Sequence, residues 1–288
     1  MVTPSVLEFL EADKGMLGLA IFVALFFLFS LLEMQAPRRH MGADTGWRWA
    51  HNFCLAIVTT ATGRFVRVAL SVLTAWWATD SGLLQLWAPG PLWILIVAVV
   101  LLDLTTYLTH RLSHTVPLLW RIHRVHHSDT DFDLTTTFRQ HPLSALVVLA
   151  IRLPVIALLG IPAYAVLFYE FLALAVDLFS HSNVRLPEGL DRRLRRFIVT
   201  PDYHRAHHVS EQRLTNSNYV NIFPFIDHLF GTASHMPYAA HEKAEIGLEY
   251  FRERRDGRID QLLLMPFRRM GEPALSESSD PEAQETPR

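Results

Sequence analysis

Cysteine is nearly absent: Cys54 is the only one in 288 residues. That excludes an internal disulfide and any cysteine-based zinc finger. Charge is scarce too, at 19% of residues against roughly 25% in soluble domains. A net charge of -2 offers no basic field, so no nucleic-acid partner is expected. No G-x-G-x-x-G occurs, so the dinucleotide fingerprint is missing, and no haem-binding cytochrome b5-type extension is visible. What the chain has in plenty is apolar residues, 50% of the total with mean hydropathy +0.20, and fifteen histidines. A metal site in such a chain is built from nitrogen and oxygen ligands.

The apolar residues are grouped into long blocks, which reads as a membrane protein. Residues 15–33 form a run whose only charge lies at its end, close to the about 20 apolar residues that a helix needs to cross a bilayer core. The alternative of a cleaved signal is weak, because only Lys14 precedes the run and no small-residue cleavage site follows it. A second stretch, 50–78, is interrupted by Arg64 and Arg67, and a third, 91–109, encloses Asp103. The second is either one long tilted helix or a shorter span with an interfacial end. Residues 142–160 and 162–180 are broken only at Gly160-Ile161-Pro162, too short a break for a soluble loop. They read as a helical hairpin, and Arg152 and Pro154 suggest that it need not cross fully. The expected fold is all-α, an integral membrane helix bundle of about four to five apolar spans, one pair of them a candidate re-entrant hairpin, under a cytoplasmic histidine-rich cap.

Basic residues set the orientation. Arg38, Arg39 and Arg48 follow the first run, Arg111, Arg121 and Arg124 the third, and Arg185, Arg192, Arg193, Arg195 and Arg196 the fifth. The positive-inside rule then puts the N-terminus outside and all three groups in the cytoplasm. Residues 185–200 read either as a helix on an anionic leaflet or as a solvated loop. Residues 271–288 are acidic and poor in apolar side chains and read as a disordered tail.

The histidines fall in clusters: His110 and His114 in HRLSH, His123, His126 and His127 in HRVHH, and His204, His207 and His208 in HRAHH. Residues three and four apart share a helix face, so each cluster can aim two or three imidazoles at one spot. Neutral imidazole is the commonest protein metal ligand. Eight are too many for one ion and suit two. His126 and His127 are adjacent and diverge by about 100° on a helix, so they can serve different ions. One HxxHH is expected by chance about 0.04 times at this histidine frequency, and the chain has two, so coincidence explains them poorly. His181 closes the last apolar run, where a histidine needs a function or a partner; it is read as a further ligand. Asp177, four residues earlier, is a candidate for orienting an imidazole. His141 is a ligand, an orienting group or an ordinary helix-start residue. Asp103, two turns before His110 on the same face, is either functional or bonded to Thr106 or another helix. His40, His51, His235 and His241 show no partner spacing and read as structural or surface residues.

These residues carry a resemblance. THRLSH-x8-HRVHHSD, then TTTFRQHP, FSHSNV, TPDYHRAHH and NSNYVNIFPFIDHLFGT, resembles the fatty acid hydroxylase superfamily, also called the sterol desaturase family, nearest its bacterial sterol-desaturase-like and alkylglycerol-monooxygenase-like members. The likeness covers about 97–233. It departs from the family pattern at Val220, where a glycine is usual, at Ile226, where a tryptophan is usual, and at His228. The resemblance implies a non-haem di-iron centre on the cytoplasmic side of the membrane, in a bacterial inner (plasma) membrane. It implies two iron ions held by His110, His114, His123, His126, His127, His181, His204, His207 and His208, with O2 as co-substrate and a lipid as substrate. Hydroxylation and desaturation, and sterol, fatty acyl and ether lipids, stay open. With no redox cofactor motif of its own, the chain is expected to take electrons from a ferredoxin- or cytochrome-type donor with its reductase. Four parts are expected: N-terminal transmembrane helices (1–96), the di-iron domain (97–233), a C-terminal cytoplasmic segment (234–270) and the tail (271–288). The rival is a membrane zinc protein, a transporter or hydrolase, using the same histidines. Catalytic zinc normally takes three protein ligands and water, and no internal repeat of the transporter kind is found.

Overall fold

The computed structural model of the protein describes residues 4–78, 82–87 and 90–270; the expected tail, 271–288, lies outside them. The chain is all-α, and its only β pairing among the described residues is two isolated bridges, Pro37 with Val184 and Val209 with Ile246. The elements that build the bundle are α1 (Pro4–Gln35), α2 (Thr45–Thr59), α3 (Phe65–Ala78), α4 (Leu83–Trp87), α5 (Pro91–Thr115), α6 (Pro117–His127), α7 (Ser144–Leu159) and α8 (Ala163–Ser180).

Three described stretches are both long and apolar enough to cross a membrane: Thr45–Ala78, Pro91–Thr115 and Ala163–Ser180; Ala20–Gln35 and Ser144–Leu159 are apolar but shorter. The first is one continuous helical rod, because the π-helical turn Thr60–Arg64 joins α2 to α3 without a break. α7 has 16 residues, about 24 Å at 1.5 Å per residue. That is short of the roughly 30 Å hydrocarbon core, as the arginine and proline inside it suggested.

The bundle interior is small and apolar where helices meet. Ala98, Leu102, Ile156, Ala165, Val166 and Ala173 are buried in one cluster, and small residues let helix backbones approach in lipid. The outside is also apolar. Phe27, Leu73, Leu146 and Leu158 are all more than half exposed, a surface suited to acyl chains and costly in water. Trp76, Trp77, Trp93 and Tyr164 are exposed at the end of α3 and the starts of α5 and α8. Those three helix ends lie opposite the histidines, and aromatic rings favour a membrane interface.

The hairpin between α7 and α8 turns on Gly160, whose φ of 65° is left-handed and whose N–H donates to the Ile156 carbonyl at 2.9 Å. A Cβ there would meet the Gly82 Cα at 2.6 Å. Two backbones therefore touch where only glycines fit. Gly160→Ala is expected to destabilise the purified protein by about 2 kcal/mol or more, from the left-handed penalty plus the clash. An unchanged melting temperature in detergent would contradict the close approach.

The other end of the bundle is capped by short elements: α9 (Glu188–Leu194), α10 (Pro201–His207), α11 (Gln212–Thr215), α12 (Phe225–Leu229) and α13 (Ile259–Leu264). Arg124, Arg139 and Arg205 are among the largest fully buried side chains here. Arg139 donates to the Val125 carbonyl (3.1 Å), to Ser128 Oγ (3.0 Å) and to Asn52 Oδ1 (2.9 Å). Arg124 donates to the carbonyls of Met265 and Arg268, each at 2.5 Å. Arg38 and Arg48 are buried as well, paired with Asp202 and with Asp129 and Asp133. Three of the arginines counted for orientation, Arg38, Arg48 and Arg124, are thus internal pins rather than surface charge. Arg111, Arg185, Arg192, Arg193 and Arg196 are exposed.

Candidate metal centre

Two prolines start the site. α5 ends at Thr115, and Val116 is extended (φ -95°, ψ 115°) because the ring of Pro117 disfavours the helical region for the residue before it. Pro117 then occupies the first turn of α6, where no N–H is needed. The sharp corner folds α6 back on α5, so HRVHH faces HRLSH. Likewise Pro201 opens α10, and the Thr200 hydroxyl accepts from the Tyr203 N–H at 3.4 Å as its N-cap.

The nine histidines meet in two groups. His110, His114, His123, His127 and His207 have one nitrogen each within 4.8 Å of the others, and so do His126, His181, His204 and His208. Adjacent partners divide between the groups. His126 goes to one and His127 to the other, and His207 and His208 split in the same way. His127 stacks on His208 with centroids 4.5 Å apart, so the groups share a wall.

The hydrogen bonds fix which nitrogen is bare. His110 Nδ1 lies 2.6 Å from the Tyr219 carbonyl, His207 Nδ1 2.6 Å from the Ser217 carbonyl and His181 Nδ1 2.9 Å from the Asp177 carbonyl. A carbonyl can only accept, so each Nδ1 carries the proton. In the neutral ring Nε2 is then a lone pair. The lone pair of His181 Nε2 lies 3.2 Å from His126 Nε2 and 3.1 Å from His204 Nε2, on rings whose Nδ1 no carbonyl holds. His110 Nε2, however, faces His207 Nε2 at 3.0 Å, lone pair to lone pair. Lone pairs directed at one another repel unless a cation lies between them. His114 Nε2, His123 Nε2, His204 Nδ1 and both nitrogens of His127 are buried without a partner, an arrangement that native interiors rarely leave unsatisfied. Burial holds the imidazoles of His123, His126, His127, His204, His207 and His208 well below their usual pKa, and that of His181 down to about 4. They are therefore neutral at physiological pH, the form that binds metal. The donor set is all nitrogen and fits iron, zinc, copper or nickel.

The remaining candidates take other roles. His141 is outside both groups, its Nε2 3.2 Å from the Leu263 carbonyl and its Nδ1 accepting from the Leu143 N–H at 3.1 Å. Asp177 holds His181 through its backbone carbonyl, the i−4 acceptor of a helix. Asp103 is fully buried and accepts the Ile222 and Phe223 N–H groups at 3.1 and 2.9 Å. It ties α5 to the loop 216–223 and does not join the histidines or Thr106.

That loop is what sequence reasoning overlooked. Its Tyr219 and Ser217 carbonyls hold His110 and His207, and Asn216 Oδ1 sits 3.3 Å from His114 Nδ1. Asn218, left-handed at φ 53°, anchors the loop through the Tyr203 and Ser234 carbonyls (3.0 and 3.1 Å). Asp227, fully buried, accepts from Tyr219 N–H (3.0 Å), Val220 N–H (3.1 Å), Thr232 Oγ1 (2.7 Å) and Tyr203 Oη (3.0 Å). The only sequence signal was the NSNYVNIFPFIDHLFGT segment as a whole. Gln140, 3.2 Å from His126 Nδ1, was equally silent.

A cavity of about 260 Å³ opens beside the histidines, lined by His110, His123, His126, His181 and His204 and running between α3, α5, α7 and α8.

Asp227→Asn keeps the volume but puts an amide N–H among four donors. It is expected to cost about 1–3 kcal/mol and to lower the divalent metal retained per chain, measured by thermal melting and by elemental mass spectrometry. Unchanged values in both would remove Asp227 from this positioning role.

Comparison with known proteins agrees with the motif reading. Residues 95–232 match the family model described as fatty acid hydroxylase. The chain is 29% identical over 163 residues to the human (Homo sapiens) alkylglycerol monooxygenase, covering 55% of this chain and 34% of that protein. It is 31% identical over 143 residues to ornithine lipid hydroxylase OlsE of Rhizobium tropici, covering 49% and 42%. It is 32% identical over 170 residues to a cholesterol 25-hydroxylase-like protein of Danio rerio, covering 57% and 64%. The chain therefore spans less than two thirds of each of these relatives. No solved structure matches.

Proposed function

We propose, for a chain whose residues 95–232 form a fatty acid hydroxylase domain, that it is a membrane-bound, O2-dependent lipid hydroxylase with two iron ions held by the nine clustered histidines. The observation that carries the reading is the pair of Nδ1-anchored imidazoles, His110 and His207, whose bare Nε2 atoms face each other at 3.0 Å inside a group of five histidines, beside a second group of four. His110, His114, His123, His127 and His207 would hold one ion, and His126, His181, His204 and His208 the other. Iron bound there supplies the oxygen chemistry that no side chain of this protein can provide.

The balance is R–H + O2 + two electrons + two protons giving R–OH + H2O. No dinucleotide motif is present, so the electrons come from an external ferredoxin- or cytochrome-type donor and its reductase. The named relatives are all hydroxylases or monooxygenases, and the substrates in their names are lipids; both points favour hydroxylation of a lipid over desaturation.

The chain's own residues do the positioning. Val148, Ala173 and Leu174 give the cavity apolar walls for a C–H bond. The Tyr219, Ser217 and Asp177 carbonyls keep the proton on Nδ1, so Nε2 stays available without a proton to displace. Phe132, fully buried and stacked on His181 at 5.7 Å, shields one group from water. The exposed Arg192, Arg193 and Arg196 lie on the histidine side of the bundle. They support a cytoplasmic site in a bacterial inner membrane by the positive-inside rule.

Iron-replete expression should yield two iron per chain by elemental mass spectrometry. Lipid extracts of a host with and without the protein should differ by an oxygenated lipid, and His126→Ala should abolish it. Stoichiometric zinc without iron, or a product that survives His126→Ala, would sink the reading.

A further inference from the structure

Among the described residues, three aromatic side chains besides histidine lie against the two histidine groups: Phe132, Tyr219 and Trp120. Phe132 and Tyr219 are buried, whereas Trp120 is half-buried. The Trp120 ring lies against the group of five, with its centroid 4.9 Å from His114, 5.5 Å from His127 and 6.4 Å from His123. Its Nε1 donates to Tyr250 Oη at 3.2 Å, and the Arg124 side chain bonds the same phenol. Tyr250 is half-buried as well. Both rings pack against the cluster that contains Leu55, Val125, Phe251 and Leu262, which fixes their spacing. A line of touching rings thus leads from the histidines through Trp120 and Tyr250 to solvent.

An indole or a phenol gives up one electron far more readily than a phenyl ring does. Phe132, 5.1 Å from His208, therefore insulates the group of four. Tyr219 is 5.1 Å from His114, but it and the next ring, Tyr107 at 6.2 Å, are buried, so neither phenol has bulk water to take its proton. The Trp120–Tyr250 line joins an oxidisable ring at the histidines to a phenol whose proton reaches water. A packed indole needs an acceptor for its N–H, yet a backbone carbonyl would serve that need. A packing role leaves the choice of a second redox-active side chain unexplained.

The chemistry of the site calls for such a line. O2 takes up four electrons on its way to two waters. In hydroxylation the external donor supplies two and the lipid C–H bond supplies two. With no lipid in the cavity the second pair has to come from the protein, and the side chains at hand are the ligand rings themselves. A protein that holds a reactive cofactor has to manage such competing reactions as well as the main one.

We propose that Trp120 and Tyr250 form an electron relay that protects the metal centre when O2 reacts with no lipid in place. This rests on the hydroxylase reading and gives the same site a second outlet. Trp120 passes an electron towards the histidines, and Tyr250 refills Trp120. Tyr250 releases its proton to water and is left as a neutral tyrosyl radical. A small thiol of the glutathione class, R′SH, returns a hydrogen atom to it. Two such transfers join two thiols as a disulfide, and the sum is O2 + two electrons + two protons + two R′SH giving R′SSR′ + two H2O.

The test uses the full-length, iron-loaded protein in detergent, reduced with stoichiometric dithionite and then exposed to O2 without added lipid. Freeze-quenched samples are read by electron paramagnetic resonance, and iron content and melting temperature are measured for each variant. The wild type is expected to give a tyrosyl signal that added glutathione removes. Tyr250→Phe should lose the signal with iron content and melting temperature near wild type, because only a half-buried hydroxyl is gone. Its peptides should then carry more added oxygen at His114, His123 and His127 by mass spectrometry. Trp120→Phe, which keeps a ring in place, should lose the signal too; where it fails to fold, Tyr250→Phe decides alone. Tyr219→Phe, which keeps the carbonyl that holds His110, should retain it. An iron-loaded wild type without a radical overturns the relay and leaves the hydroxylase reading standing. A signal that survives Tyr250→Phe, or that vanishes in Tyr219→Phe, overturns the relay as well. Protein that binds no iron removes the hydroxylase reading and the relay with it.

Discussion

The structure depends on one electrostatic constraint. Nine imidazoles, mostly buried, are packed into two groups, and in one of them the unprotonated Nε2 atoms of His110 and His207 face each other inside hydrogen-bond distance. Such an arrangement is unfavourable by itself. It persists only if the surrounding framework cannot relax and a cation offsets the repulsion. The rest of the cap supplies the first condition. The Tyr219, Ser217 and Asp177 carbonyls hold three rings by their far nitrogens, and Asp103 and Asp227 hold the loop that carries two of those carbonyls. An oriented ligand resting on a second layer of hydrogen bonds is the usual architecture of a metal site.

The buried arginines belong to the same framework. In HRVHH and HRAHH the second residue points away from the histidines and into the protein: Arg124 into the carbonyls of Met265 and Arg268, Arg205 onto Asp202 and the Ser182 carbonyl. A guanidinium has five donors in a fixed plane, so one such residue cross-links several loops that have no sheet to organise them. Below HRVHH, Asp129 accepts from Arg48 at 2.7 Å, Asn52 at 3.1 Å and Thr136 at 2.9 Å. The cap is therefore polar inside, and its rigidity comes from charge-assisted hydrogen bonds rather than from a large apolar core. That is consistent with a cap that sits against a membrane, where the apolar residues are used in the spans.

Much of this was legible in the residues, and the boundary is physical. Span positions follow from length and hydropathy, and the hairpin follows from Gly160 and Pro162, because both signals are local. The grouping of histidines follows from helical spacing. What the sequence hides is whatever the backbone does. The acceptors for His110, His181 and His207 are carbonyls, which every residue has, so no letter marks Tyr219, Asp177 or Ser217. Asp177 was picked out for its carboxylate, and the contact to His181 is made by its carbonyl. Burial is hidden in the same way: Arg38, Arg48 and Arg124 look like cytoplasmic surface charge and are internal cross-links. His141 resembles its neighbours in composition, but the 3₁₀ turn Leu134–Phe138 delivers it towards α13, and the Leu263 carbonyl takes it up.

The departures from the family pattern can be judged on the same grounds. Val220 stands where a glycine is usual, yet its backbone is not in the left-handed region, since the only positive-φ residues besides glycine among those described are Asn218 and Phe251. No glycine is needed there for conformation. The side chain instead occupies space, and Val220 is fully buried and lines the cavity beside Asn221. Ile226, in place of a tryptophan, is buried in the main apolar cluster, where an aliphatic chain packs with no polar atom to satisfy. His228 is exposed. The bonds that matter to the histidines, from Asp227 to the Tyr219 and Val220 N–H groups and from His110 to the Tyr219 carbonyl, are made to the main chain and are indifferent to these side chains. The exchanges therefore leave the ligand framework intact. At Val220 the side chain forms part of the wall against which a substrate would lie, so that position bears on what fits rather than on what is held.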